Sequence, residues 1–310
     1  MMIKKPKFWD KKLPNFFAYL LIPISKVVSL FNVLKKGENL KFSNIRIICV
    51  GNIYVGGTGK TPLTIKISQL LNKKNLKSTV VKKFYKEQKD EQLLISNKTN
   101  LISKKDRKNC IENAINKNFK YAIFDDGLQD KSIKYDLKIC CFSSNNWIGN
   151  GLVIPAGPLR ERVNSLKNFD IVFLNGPNIN NEHIKQEILK VNDNIEIFEG
   201  RYKSINLDQI DISQNYIAFS GIGNPESFSF TLKDNNLKIL KHFSFPDHYD
   251  FKKSEIDNIK KYAIKNNSKI ITTEKDYLRI NKELRNEISY IAMDLEIINE
   301  NKFLDLICWK

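Results

Sequence analysis

The sequence predicts an α/β fold with a phosphate-loop NTPase core, a mostly parallel sheet flanked by helices. Three observations predict it. An apolar, β-branched run, Ile45–Val50, enters a glycine-rich turn that closes on Gly59-Lys60-Thr61 ahead of a helical apolar pattern. A second apolar run, Tyr121-Ala122-Ile123-Phe124, ends in Asp125-Asp126-Gly127. The C-terminal half alternates strand-like and helix-like stretches: Tyr216–Phe219, a helix near Ser254–Asn266, Lys269–Thr272 and Ile288–Met293. Such alternation is the signature of βα units.

The 310 residues are 42% hydrophobic and 27% charged, which suits a globular chain with a buried core. No apolar run reaches the roughly 18 residues that a spanning helix needs, so a polytopic membrane protein is excluded. The cysteines, Cys49, Cys110, Cys140, Cys141 and Cys308, are odd in number and form no C-x-x-C. That spacing fits neither a disulfide scaffold nor a structural zinc site, and a reducing cytoplasm is the natural setting. The net charge of +17 asks for an anionic partner: nucleic acid, a membrane surface or a phosphorylated substrate. Nucleic acid is not expected, because the lysines are scattered and no basic–aromatic module accompanies them.

The first element is basic and amphipathic. Residues 1–36 carry eight lysines, among them Lys4, Lys5, Lys7, Lys11 and Lys12, against the single acid Asp10. The run Phe16–Ile22 leads to Pro23, after which Ile24, Val27, Val28 and Phe31 share one helical face. Ser25, Lys26, Ser29 and Asn32 fall between them. Two readings stay open: a helix lying in a membrane interface, or a terminal helix packed on the protein's own core. A cleaved signal peptide lacks its small-residue cleavage site.

The second element is the phosphate loop, Gly51 to Pro62. Its glycines let backbone N–H groups converge on phosphate oxygens, and the following helix adds its N-terminal partial charge. Lys60 is placed to reach the β- and γ-phosphates and Thr61 to hold Mg²⁺. The loop is a variant: Tyr54 stands where G-x-x-x-x-G-K-[ST] has its first glycine. The strand ending at Asp125 then supplies a carboxylate for the Mg²⁺ site, and Asp126 a second for the lysine or the nucleophile. A GTPase would want N-K-x-D, and Asn97-Lys98-Thr99-Asn100 lacks the aspartate. No dinucleotide-binding G-x-G-x-x-G occurs in the loop.

These motifs, in order, resemble the tetraacyldisaccharide 4′-kinases of lipid A biosynthesis. The resemblance rests on Gly51–Pro62, Asp125-Asp126-Gly127-Leu128-Gln129, Gly149-Asn150-Gly151 and Pro155-Ala156-Gly157-Pro158-Leu159-Arg160-Glu161. It extends through Phe219 to Pro225, Phe245-Pro246-Asp247-His248 and Thr272-Thr273-Glu274-Lys275-Asp276. Asp130 departs from the family's usual His, Lys82-Lys83-Phe84-Tyr85 replaces its Ser-Arg-Gly-Tyr stretch, and a shortened loop precedes Asp90-Glu91-Gln92-Leu93-Leu94.

The resemblance implies a phosphate-loop domain over 37–195, a smaller C-terminal α/β lobe over 196–310 and a membrane-associating helical segment over 1–36. It implies transfer of the ATP γ-phosphoryl group to the 4′-hydroxyl of tetraacyldisaccharide 1-phosphate, giving lipid IVA, with Mg²⁺ as cofactor. The enzyme would work as a peripheral protein on the cytoplasmic face of the inner membrane. Tyr54, Val55, Gly56, Gly57, Thr58, Gly59, Lys60 and Thr61 would bind ATP, and Thr61 with Asp125 would bind Mg²⁺. Lys60, Asp90, Asp126 and His248 would be catalytic, with Asp90 and His248 paired as the base across 158 residues by a second lobe folding back on the first. Arg107, Gln129, Arg160 and Glu161 would meet the substrate. His183 and His242 are expected at the surface. A phosphate-loop kinase or ligase with a soluble substrate, and a membrane-bound nucleotide switch, are the alternative readings.

Overall fold

The computed structural model describes residues 5–34, 37–84, 89–176 and 181–308. Lys4 and Tyr85 lie outside them, as does the side chain of Asn32. In chain order the elements begin with α1 (Phe16–Leu34), β1 (Arg46–Gly51), α2 (Lys60–Lys73), β2 (Ser78–Lys83), α3 (Lys89–Lys98), β3 (Leu101–Lys104) and α4 (Arg107–Asn116). They continue with β4 (Tyr121–Asp125), β5 (Leu137–Ser143), β6 (Ile171–Asn175), α5 (Glu182–Val191) and β7 (Glu196–Ser204). The remainder are β8 (Asn215–Ser220), α6 (Pro225–Asp234), β9 (Lys238–Ser244), α7 (Lys253–Lys265), β10 (Lys269–Thr273), α8 (Glu274–Arg279), β11 (Ile288–Ile291), β12 (Met293–Ile297) and α9 (Glu300–Ile307).

The strands of the described residues form two sheets. One has eight strands in the order β12-β7-β6-β5-β1-β4-β2-β3, and the other four in the order β11-β10-β8-β9. β1 lies parallel to both β4 and β5. Strand order reverses there, and the carboxyl ends of strands at such a switch point are where open α/β sheets bind ligands. The apolar run of β1 follows from burial on both faces. Ile48 and Val50 pack with Leu63, Ile67 and Leu71 of α2 and with Phe303 and Ile307 of α9. Ile47 and Cys49 face the other way, onto Val81, Cys110 and Ala114. All five cysteines are free thiols.

The chain divides into two compact units, and the division differs from the expected one at 195/196. The first comprises 1–83, 99–201 and 295–310, and the second 84–98 and 202–294. The last helix, α9, thus belongs to the first unit, where Phe303 stacks edge-on against Phe173 and Phe198. Helix α3, inserted between β2 and β3 in sequence, belongs to the second.

Helix α1 runs unbroken through Pro23. The face gathered by periodicity is not the buried one: Ile24, Val27 and Phe31 are 52%, 53% and 69% exposed, and Phe16, Phe17, Leu20 and Leu30 are exposed beside them. Only Val28 of that set reaches the core. Against the first unit α1 lays the small residues Ala18, Ser25 and Ser29. Ser25 Oγ donates to the carbonyl of Val153 (2.8 Å) and accepts from the amide of Ala156 (3.0 Å). The helix is therefore packed on the protein by its small residues, and the apolar face that periodicity gathers is exposed. No helix among the described residues is long and apolar enough to cross a membrane.

Candidate active site

The phosphate loop leaves β1 and enters α2 at Gly59, whose left-handed backbone (φ 80°) makes the turn. Gly56 also lies at positive φ (134°), and a Cβ on Gly57 would meet nothing within 4 Å. No acidic residue stands in the first turn of α2 and no side chain caps it, so its positive end is open to an anion. Buried asparagines hold the loop. Asn52 Nδ2 donates to the Tyr54 carbonyl (2.6 Å) and Thr58 Oγ1 (2.9 Å), and Asn175 Nδ2 donates to the Thr58 carbonyl (2.7 Å). The expected ATP-binding stretch divides in two. Tyr54 turns its hydroxyl to Asp10 and Lys5, and the Val55 amide donates to Pro158 O (2.8 Å). Those two residues are held by the protein itself; of the rest, Gly56 and Gly57 are exposed, Gly59, Lys60 and Thr61 are half-buried, and Thr58 is buried.

β4 delivers its carboxylates beside this loop because Val50 and Asp125 are partners in register. Asp125 is 2% exposed. Its Oδ2 accepts from Lys82 Nζ (2.6 Å) and Thr61 Oγ1 (3.1 Å), while its Oδ1 is buried with no hydrogen-bond partner among the described residues. An orphaned carboxylate oxygen beside a threonine hydroxyl fits Mg²⁺. No cluster of three His, Cys, Asp or Glu side chains suited to a metal exists among the described residues. The remaining ligands would therefore come from phosphate and water oxygens, as is usual for Mg²⁺.

Asp126, at φ 62°, turns away from its neighbour. Its carboxylate lies 3.1 Å from Arg160 Nη1 and 3.9 Å from Lys60 Nζ. Burial alone would push its proton affinity up, but Lys60, Arg160 and Lys82 outweigh burial and hold it below the ordinary value. Arg107 does not stand free for a substrate. It donates to the Asp126 carbonyl (2.7 Å) and pairs with Asp130, which also accepts from Ser132. Asp130 thus anchors Arg107. Gln129 Nε2 donates to Asn52 O (2.9 Å) and Glu161 Oε1 (3.1 Å), and its Oε1 accepts from Arg160 (3.2 Å).

The second unit holds another cluster. Asp90, near the start of α3, is 3% exposed. It accepts from His248 Nδ1 (3.1 Å) and Arg279 Nη2 (2.7 Å), with Lys275 Nζ at 3.2 Å. The expected Asp90–His248 pair is present, and it arises within one unit because α3 belongs there, not by the folding back of one lobe on another. Burial opposes ionisation of Asp90, but His248, Lys275 and Arg279 bring it well below the usual carboxylate range. His242 differs from expectation. It is half-buried between Ser220 (2.8 Å) and Ser229 (2.7 Å), against the Phe228 ring.

Sequence reasoning missed Asn175 and Arg279, and took Lys82 only as part of a reduced motif. A signal existed for Lys82, a lysine at the end of a strand that pairs with β4 in the register Lys82–Asp125. None existed for Arg279.

Residues 17–309 match the sequence profile of the tetraacyldisaccharide-1-P 4′-kinases (LpxK). The chain belongs to this family. It is 49% identical to the tetraacyldisaccharide 4′-kinase of Pelagibacter ubique over 310 residues, 99% of each chain. It is 34% identical to that of Rickettsia felis, over 95% of this chain and 93% of the relative. The crystal structure of LpxK from Aquifex aeolicus in complex with ATP shares the fold, with TM-score 0.71 at 22% identity over 94% of this chain and 98% of that one. Membership makes the protein an ATP-dependent kinase that phosphorylates tetraacyldisaccharide 1-phosphate, with Mg²⁺ as its cofactor. The soluble-substrate and switch readings give way to it.

The depressed proton affinity of Asp90 sets a pH dependence. Its stabilising contribution is complete above its ordinary value of 3.8 and is lost as pH falls from there toward the lower folded-state value. The urea unfolding midpoint of the wild type should therefore fall more steeply than that of Asp90→Asn below about pH 4. Equal slopes would show that Asp90 is not held ionised by its partners.

Proposed function

We propose that the two clusters divide the phosphoryl transfer between them and that the enzyme works docked on a membrane. Gly56 to Lys60 bind the phosphates of ATP. Thr61 and Asp125 would hold Mg²⁺, which would supply charge neutralisation to the phosphates. Lys60 meets the transferred phosphoryl group, and Asp126 fixes the ammonium and the Arg160 guanidinium by standing between them. Arg160, Gln129 and Glu161 form a hydrogen-bonded surface for the substrate's polar groups, and Arg107 supports it through Asp126. The Asp90–His248 pair takes the proton of the 4′-hydroxyl as its oxygen bonds to phosphorus. ADP leaves with the electron pair of the broken phosphoanhydride bond.

The observation that carries the reading is the orphaned Asp125 Oδ1 beside Thr61, at the end of a strand in register with the phosphate loop. Removing a preorganised charge from such a site costs about 10²- to 10³-fold in turnover. Lys60→Ala should remain folded and lose activity on that scale, measured with labelled ATP and tetraacyldisaccharide 1-phosphate. Turnover near the wild-type rate would remove the loop lysine from the mechanism.

The membrane part is supported by α1, whose inner face is small and whose outer face carries Phe17, Leu20, Ile24, Val27 and Phe31 exposed. With the lysine-rich segment ahead of it, this suits an interfacial helix on anionic lipid, and a peripheral place on the cytoplasmic face of the inner membrane follows. Leu20→Glu, Val27→Glu and Phe31→Glu together should abolish co-sedimentation with anionic vesicles and leave the melting temperature unchanged. Unchanged vesicle binding would mean that another surface docks.

A further inference from the structure

Arg279 ends α8, and its side chain is 5% exposed. Its Nη2 donates to Asp90 Oδ2 (2.7 Å), and its Nη1 donates to the carbonyl of Gly221 (2.8 Å) and to Asp276 Oδ1 (2.9 Å). That same Gly221 carbonyl accepts from the backbone amide of His248 (3.2 Å). The Gly221 amide donates to Asp276 Oδ2 (3.0 Å), which closes the ring of contacts. One guanidinium therefore touches the carboxylate of the Asp90–His248 pair directly and reaches the backbone of the imidazole through one carbonyl. His248 has φ 57°, a conformation that a non-glycine residue keeps only where its surroundings hold it.

We propose that Arg279 is a positioning residue for the kinase reaction, fixing the carboxylate of Asp90 against the imidazole of His248 from both sides of the pair. The inference rests on reading that pair as the proton acceptor. A planar fork with several fixed donors can hold a carboxylate and a carbonyl at once, whereas a lysine ammonium is a point charge on a flexible stem. A displacement of about 1 Å in a catalytic group can cost about 10²-fold.

The charge of Arg279 also acts on the pair. The other titratable groups facing Asp90 are the His248 imidazole and Lys275, and Lys275 in turn faces Glu91 (3.3 Å) and Asp247 (3.8 Å). Asp247 lies 3.9 Å from His248 Nε2, and Asp276 faces Arg279. Loss of Arg279 removes a cation and leaves those acids in place, so the pair binds its proton more tightly and the acidic limb of the rate profile moves to higher pH.

Arg279→Lys and Arg279→Gln, with Asp90→Ala as reference, test this in the full-length enzyme. Turnover, the KM for ATP, the pH profile and the melting temperature are measured for each. Arg279→Lys should lower kcat about 10²-fold, with the acidic limb and the KM for ATP as in the wild type. Arg279→Gln should lower kcat further and move the limb to higher pH. Wild-type kcat in Arg279→Lys, or an unmoved limb in a folded Arg279→Gln, overturns the proposal. Should Arg279→Gln not fold, Arg279→Lys decides alone: reduced kcat at wild-type melting temperature and ATP KM supports the role, and wild-type kcat removes it. A fully active Asp90→Ala would overturn the reading of the pair itself. An inactive Asp90→Ala beside fully active Arg279 variants would overturn only the part given to Arg279.

Discussion

The parallel pairing of β1 with β4 is the constraint on which the phosphate site depends. It sets Val50, the residue before the glycine loop, level with Asp125. From that register follow the contact of Thr61 with Asp125 and the stance of Asp126 before Lys60. β2 pairs with the other edge of β4 and brings Lys82 onto the same carboxylate oxygen as Thr61. The pair Lys82–Asp125 is almost wholly buried. Breaking such a pair by deleting one partner costs about 3–5 kcal/mol, since the other is left as an uncompensated charge. The site is therefore held by electrostatic balance as much as by packing. Among the described residues its buried oxygens without a partner are Asp125 Oδ1 and the amide oxygens of Asn52 and Asn175, and of these the carboxylate oxygen carries the charge that suits a divalent cation.

The second unit follows a similar logic with different chemistry. Asp90 is as deeply buried as Asp125 and is met by two cations of α8, Lys275 and Arg279, and by the imidazole of His248. Asp276, itself buried and pushed up in proton affinity by that burial, spends its two oxygens on Arg279, Thr273 and the Gly221 amide. The carboxylates of Asp90 and Asp276 are each met by several donors, and the side chain of His248 is partly exposed. That is the form a proton-accepting group takes when its partner is kept inside.

How much of this was legible in the sequence depended on whether the signal was local. β1, the glycine loop and α2 could be read because strand, turn and helix are contiguous and each has its own period. The Asp125-Asp126 motif could be read for the same reason. The pairing of Asp90 with His248 was legible only through motif resemblance, since nothing within either segment points to the other. Arg279 and Asn175 were not legible: each acts by long-range contacts that leave no pattern in its neighbours. Helix α1 shows a different limit. Periodicity finds an apolar face but not the medium it faces, and here Ala18 and Ser25, not Ile24 and Val27, turn inward. The division at 195/196 differs from the observed one because β7 pairs with β6, because β12 and α9 return to the first unit, and because α3 belongs to the second.

The central claim is that Asp125 and Thr61 form the cation site of the phosphate loop. Calorimetric titration of ATP into the wild type and into Asp125→Asn, each with and without Mg²⁺, tests it most directly. The account predicts that Mg²⁺ tightens ATP binding to the wild type and has no effect on a folded Asp125→Asn protein. An undiminished Mg²⁺ dependence in Asp125→Asn would contradict it.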